Sequence, residues 1–150
     1  MSVAIENIVL PTQLRDKIVN HLESTYPNEG GGFLLGSIDG NTVRIVDTVD
    51  VTNTFAEEEQ YHRYAMTPLD WAKLEDEADD RGLTLVGYFH SHPDSPAIPS
   101  IYDRDHALPN FTYIITAVYK EAREMRVWRL RPDRSQFDEN TLHIVENSNT

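Results

Sequence analysis

The chain predicts an α/β fold of the α+β type: a mixed, largely antiparallel curved sheet flanked by helices. Three observations point there. Short runs of apolar and β-branched residues are bounded by glycine, proline and asparagine. Two longer segments repeat their apolar residues at helical spacing. Hairpin patterns stand at both ends of the chain, so helices and strands alternate irregularly and a fully parallel sheet is excluded.

Ile5 to Leu10 reads as a first strand stopped by Pro11. Leu14, Ile18, Leu22 and Tyr26 recur every four residues and mark one face of a helix over Thr12–Tyr26, ended by Pro27 and Asn28. Glu29-Gly30-Gly31-Gly32 then leads into the apolar strand Phe33-Leu34-Leu35-Gly36. The glycines permit close packing or backbone approach. Asp39-Gly40-Asn41 makes a hairpin turn, with a return strand over Thr42–Val51.

The polar stretch Asn53–Arg63 reads as a loop. Thr67 reads as an N-cap, with Pro68 at the first helical position and Asp70 three residues on. Trp71, Leu74 and Ala78 face one side of the following helix, which stops at Gly82. Leu83–His90 is a buried strand. Phe111–Tyr119 and Met125–Leu130 pair around a turn near Lys120-Glu121, and Leu142–Val145 is a last edge strand. Residues 1–145 make one domain, and 146–150 a polar, frayed tail.

The charge is strongly acidic: 13 basic against 25 acidic residues give −12, which excludes non-specific binding to nucleic-acid phosphates. The absence of cysteine removes disulfides, thiolate nucleophiles and cysteine zinc sites. The first ten residues lack a basic n-region and carry Glu6, so they do not read as a signal peptide. No apolar run is long enough to span a bilayer. A cytoplasmic protein with no membrane partner is the expectation.

The chemistry is concentrated in Gly87-Tyr88-Phe89-His90-Ser91-His92-Pro93 and Ser100-Ile101-Tyr102-Asp103. Residues i and i+2 of a strand share a face, so His90 and His92 can aim both imidazoles at one point. Asp103, eleven residues after His92, can join them if the loop between folds back. Two imidazoles and one carboxylate suit Zn²⁺ with a fourth position open to water. Such a site needs a general base, and Glu29 is the carboxylate best placed by sequence.

Each residue also has a bland reading. Ser100-x-x-Asp103 matches a helix capping box, in which Asp103 needs no metal. Asp94, Asp105 and His106 lie near the motif but read as solvated or structural, and no motif accounts for His21, His62 or His143. His90-Ser91-His92-Pro93-Asp94 also fits the start of the metallo-β-lactamase H-x-H-x-D-H signature, but position 95 is Ser and the chain is short for that fold. Zinc nucleobase deaminases need a P-C-x-x-C partner that this chain lacks.

Taken together, Glu29, His90-x-His92-Pro93 and Ser100-x-x-Asp103 resemble the motif of the JAMM (MPN+) metallopeptidases, in their compact prokaryotic branch. The resemblance runs from the first helix to the strand ending at Leu130. It implies the cytidine-deaminase-like JAMM/MPN architecture and one zinc per chain, held by His90, His92 and Asp103 with a water. It also implies Glu29 as general base and Ser100 as support for the water and the oxyanion. The implied reaction is hydrolysis of a peptide or isopeptide bond after the C-terminal Gly-Gly of a ubiquitin-like or sulfur-carrier protein.

The carrier's extended tail would run along a strand edge near residues 53–63. Between Asp103 and Phe111 there is no room for the long insertion of the linkage-selective deubiquitinases. The rival expectation from another class is a non-catalytic module that binds ubiquitin-like proteins and keeps a structural zinc. The carrier, the leaving group and the oligomeric state are not legible in the sequence.

Overall fold

The computed structural model describes residues 4–51 and 68–146. In order, these residues form β1 (Asn7–Pro11), α1 (Thr12–Thr25), β2 (Gly31–Asp39), β3 (Thr42–Val51), α2 (Pro68–Asp80), β4 (Thr84–Pro93) and α3 (Ile101–His106). Three strands follow: β5 (Thr112–Tyr119), β6 (Glu121–Leu130) and β7 (Phe137–Val145). The expected loop at 53–63 and the Thr67 cap lie outside the described residues.

The seven strands close into a barrel in the order β1-β3-β2-β4-β5-β6-β7. This corrects the expected α/β sheet flanked by helices: the described chain is mostly strand, and its sheet has no open edge. Closure depends on β1, which pairs in parallel with β3 on one side and β7 on the other. The β7 pairing joins residues more than a hundred positions apart, such as Ile8 with Leu142. Local periodicity carries no trace of contacts at that separation. The segment expected as an edge strand at Leu142–Val145 is the end of the closing strand β7, paired to β6 and β1.

The local signals themselves have clear physical origins. Gly40 takes a φ of +61° in the β2–β3 turn, the left-handed region that glycine enters without steric cost. Ile18 and Leu22 of α1 are fully buried and join Ile8, Leu34, Val43, Phe89, Ile114 and Val118 in one apolar cluster. Ala78 of α2 packs into a second, with Phe33, Leu85, Tyr88 and Tyr113. Each fully buried Phe or Leu contributes about 1.5–3 kcal/mol.

The triple glycine is a packing device. A Cβ at Gly32 would meet the Val49 carbonyl oxygen and the Phe89 ring, so the strands approach closely only without a side chain.

One irregularity sets the functional face. β4 is antiparallel to β2 with a register shift: Leu34 pairs with Gly87 but Leu35 with Leu85, leaving Val86 as the extra residue. A bulge of one residue exchanges the faces of everything beyond it. Leu85 and Tyr88 therefore lie on one face, and Val86 and Phe89 on the other. His90 and His92 follow Tyr88, and Ser91 follows Phe89 toward α1.

Candidate metal centre

His90, Ser91 and His92 are buried in β4, between β2 and the parallel strand β5. The two imidazole centroids are 5.1 Å apart. Pro93 ends the strand. Asp94 then turns the chain with a φ of +55°, donating its N–H to the Val118 carbonyl at 2.8 Å. The loop is tied at two further points. The Tyr26 hydroxyl donates to Asp94 at 2.7 Å, and the Trp128 indole N–H donates to the Ala97 carbonyl at 3.0 Å. The Asp94 acceptor also holds the Tyr26 phenol above its usual pKa range.

So fixed, the loop returns to Ser100 and α3. Ser100 is the N-cap of α3. Its hydroxyl accepts the Asp103 N–H at 3.0 Å, and its own N–H donates to Asp103 Oδ2 at 2.8 Å. The capping box is therefore real, and it also orients the carboxylate. Arg134, from the β6–β7 connection, donates to the carbonyls of Arg104, Asp105 and Ala107 and holds the other end of this short helix.

The fold brings three of the sequence-derived residues together. Ligand atoms of His90, His92 and Asp103, all buried, lie within 4.8 Å of one another. Asp103 Oδ1 is 3.3 Å from His90 Nε2, and Oδ2 is 3.1 Å from His92 Nε2. A tetrahedral ion with bonds near 2.0–2.1 Å spaces its ligand atoms roughly 3.3 Å apart, so the spacing fits zinc.

The tautomer fits as well. His92 Nδ1 is 2.9 Å from the Pro96 carbonyl, which can only accept, so Nδ1 carries the proton. Nε2 is then the nitrogen that faces Asp103. The Nδ1–H to carbonyl bond is the usual way a ligating histidine is oriented.

Glu29 is placed through its neighbour. Gly31 pairs with His90, and the next pair along is held by two hydrogen bonds. Ser91 N–H donates to Gly30 O at 3.0 Å, and Gly30 N–H donates to Ser91 Oγ at 2.9 Å. Glu29 is the residue that immediately precedes this pair of bonds. Its Oε1 is buried.

Other sequence candidates take up different tasks. Asp94 accepts from Tyr26 and does not join the group formed by His90, His92 and Asp103. His21 meets the Gly31 carbonyl at 3.1 Å and sets its ring edge on Phe89. His143 bonds Asn7 at 2.9 Å, and His62 lies outside the described residues. Ser91 was not singled out by sequence, because its partner sits 61 positions away and nothing local marks it.

The sequence profile described as prokaryotic homologs of the JAB domain matches residues 11–131. A desampylase from Haloferax volcanii is 32% identical over 111 residues, covering 71% of this chain and 77% of that protein. A solution structure of a protein from Salinibacter ruber matches with a TM-score of 0.70 and 37% identity, over 91% of this chain and 90% of that one. The crystal structure of a JAB1/MPN domain protein from Archaeoglobus fulgidus matches with a TM-score of 0.58 and 20% identity, over 93% and 99%. At that identity it speaks to the fold alone. The profile spans most of the chain, and the chain belongs to the compact prokaryotic branch of the JAMM/MPN family, the prokaryotic JAB-domain proteins.

Proposed function

We propose that this protein is a zinc-dependent peptidase or isopeptidase that hydrolyses the bond after the C-terminal Gly-Gly of a ubiquitin-like or sulfur-carrier protein. The observation that carries the reading is the buried convergence of His90, His92 and Asp103. The similarity to a protein named desampylase supports a ubiquitin-like substrate.

His90 Nε2, His92 Nε2 and one Asp103 oxygen would hold the ion, leaving one position for water or substrate. Bound there, zinc lowers the pKa of water toward neutral and polarises a carbonyl. Glu29 takes the proton of the attacking water and delivers it to the leaving amine. The Ser100 oxygen accepts the Asp103 N–H, which leaves the hydroxyl proton to donate to the oxyanion as the carbonyl becomes tetrahedral. Burial of the histidines and Asp103 keeps bulk water from weakening these interactions.

The test is to measure zinc stoichiometry and cleavage of a Gly-Gly-linked fusion in parallel. One zinc per chain with cleavage at the Gly-Gly bond is expected, and Glu29→Gln should keep the zinc while losing turnover by about 10² to 10⁴. A protein that holds no zinc at micromolar supply would sink the reading. Bound zinc with tight carrier binding and no cleavage would turn it to a binding module.

A further inference from the structure

A cavity of about 340 Å³ is lined by Ile5, Asn110, Arg129, Arg131, Asp138 and Asn140. Arg129 pairs with Thr112, whose β4 neighbour is Gly87, three residues before His90. Arg129, Arg131, Asp138 and Asn140 alternate along paired strands and share one face. The charge there is unbalanced. Asp138 stands directly across from Arg129, yet both its oxygens are taken by Arg131, at 2.9 and 3.0 Å.

Among the described residues Arg129 donates only to the neutral hydroxyl of the fully buried Thr112, at 2.7 Å, and no carboxylate pairs with it. Among the same residues its buried Nε–H finds no acceptor and the buried Asn140 Oδ1 no donor. Burial alone holds the guanidinium below its usual pKa range. This half-buried arginine has no counter-ion among the described residues of a chain of net charge −12.

We propose that this cavity is a binding site for a small organic carboxylate, which takes the Arg129 guanidinium. Water cannot neutralise that charge. A cavity of this volume lies at the low end of the range for small-ligand pockets. The proposal stands apart from the peptidase reading, since none of these residues belongs to the metal centre.

The zinc-loaded ¹⁵N-labelled protein is titrated with lactate, glycine and inorganic phosphate while the Arg129 Nε–H resonance is followed. Lactate and glycine should give saturable millimolar shifts, each at least about tenfold tighter than phosphate. Asn140→Asp places a carboxylate inside the cavity: it should raise Tm and abolish the lactate and glycine shifts. The proposal is overturned by the absence of a saturable shift with either carboxylate, or by phosphate binding as tightly as they do. Unaltered binding in Asn140→Asp, or a lower Tm for it, overturns the proposal as well.

Discussion

Ser91 Oγ accepts the Gly30 N–H at 2.9 Å, so the residue between the two histidines also holds the segment that carries Glu29. The imidazoles face one side of β4 and the serine hydroxyl the other. Ser91→Ala should leave zinc stoichiometry intact. It strips a buried N–H of its acceptor, which costs about 1–3 kcal/mol of stability. Turnover should fall about 10- to 100-fold as Glu29 loosens. Urea unfolding, zinc titration and kcat on one preparation separate these effects; unchanged kcat with weakened zinc binding would refute the clamp.

Asp103 serves two structures at once, capping α3 and facing both histidines. Asp103→Asn keeps an oxygen that can accept the Ser100 N–H but removes the anionic donor. Stability of the metal-free protein should change by less than about 1 kcal/mol, as expected for conservative replacement at a cap. Zinc affinity should fall by at least about tenfold. A competitive chelator titration beside a metal-free melt reads both; a large loss of metal-free stability with zinc affinity preserved would mean that the cap is the carboxylate's main task.

Gly32→Ala tests the packing of β2. Its methyl would overlap the Val49 carbonyl and the Phe89 ring, two groups that cannot move independently of the barrel wall. A loss of about 1–3 kcal/mol is expected. It should appear as a lower urea midpoint with an unchanged slope. A midpoint equal to the wild type's would show that the strands can part at no cost.

Asp47 on β3 ties both long helices to the barrel. It accepts from Arg81, just after α2, at 2.7 Å, and from Lys17 of α1 at 3.5 Å. Burial pushes its pKa up. The Arg81 hydrogen bond, the Thr48 N–H and the two cations outweigh burial and hold it below the usual carboxylate value. A depressed folded-state pKa contributes stability above the unfolded value, and that contribution is lost as pH falls through the folded one. The stability difference between wild type and Asp47→Asn should therefore be constant near neutrality, below about 1 kcal/mol for a partly exposed group, and shrink as pH falls below roughly 4. Unfolding curves at pH 7 and pH 3 provide the check; a gap that widens in acid would contradict it.

Local pattern made much of the fold legible. The four-residue spacing of Leu14, Ile18 and Leu22 marks α1, because one helical face must be buried. The Asp39-Gly40-Asn41 turn marks the β2–β3 hairpin, because only glycine enters its φ freely. Boundaries were less legible. β6 begins at Glu121 where a start at Met125 is expected, because Lys120 alone makes the turn at a φ of +73°. β4 runs on through both histidines to Pro93.

The sequence by itself determined the donor chemistry: two imidazoles two residues apart, a carboxylate inside a capping box, a glutamate at the entry to the first hairpin and no thiols. Residue type and short spacing dictate these features, and they survive any error about the surrounding sheet. Tertiary structure alone decided the rest. Barrel closure rests on β1 pairing in parallel with β3 and β7, the facing of the histidines on a bulge at Val86, and the hold on the segment before β2 on a bond between Ser91 and Gly30. Each of these joins segments far apart in the chain, and such pairings are selected by the packing of the whole core, which no local window contains.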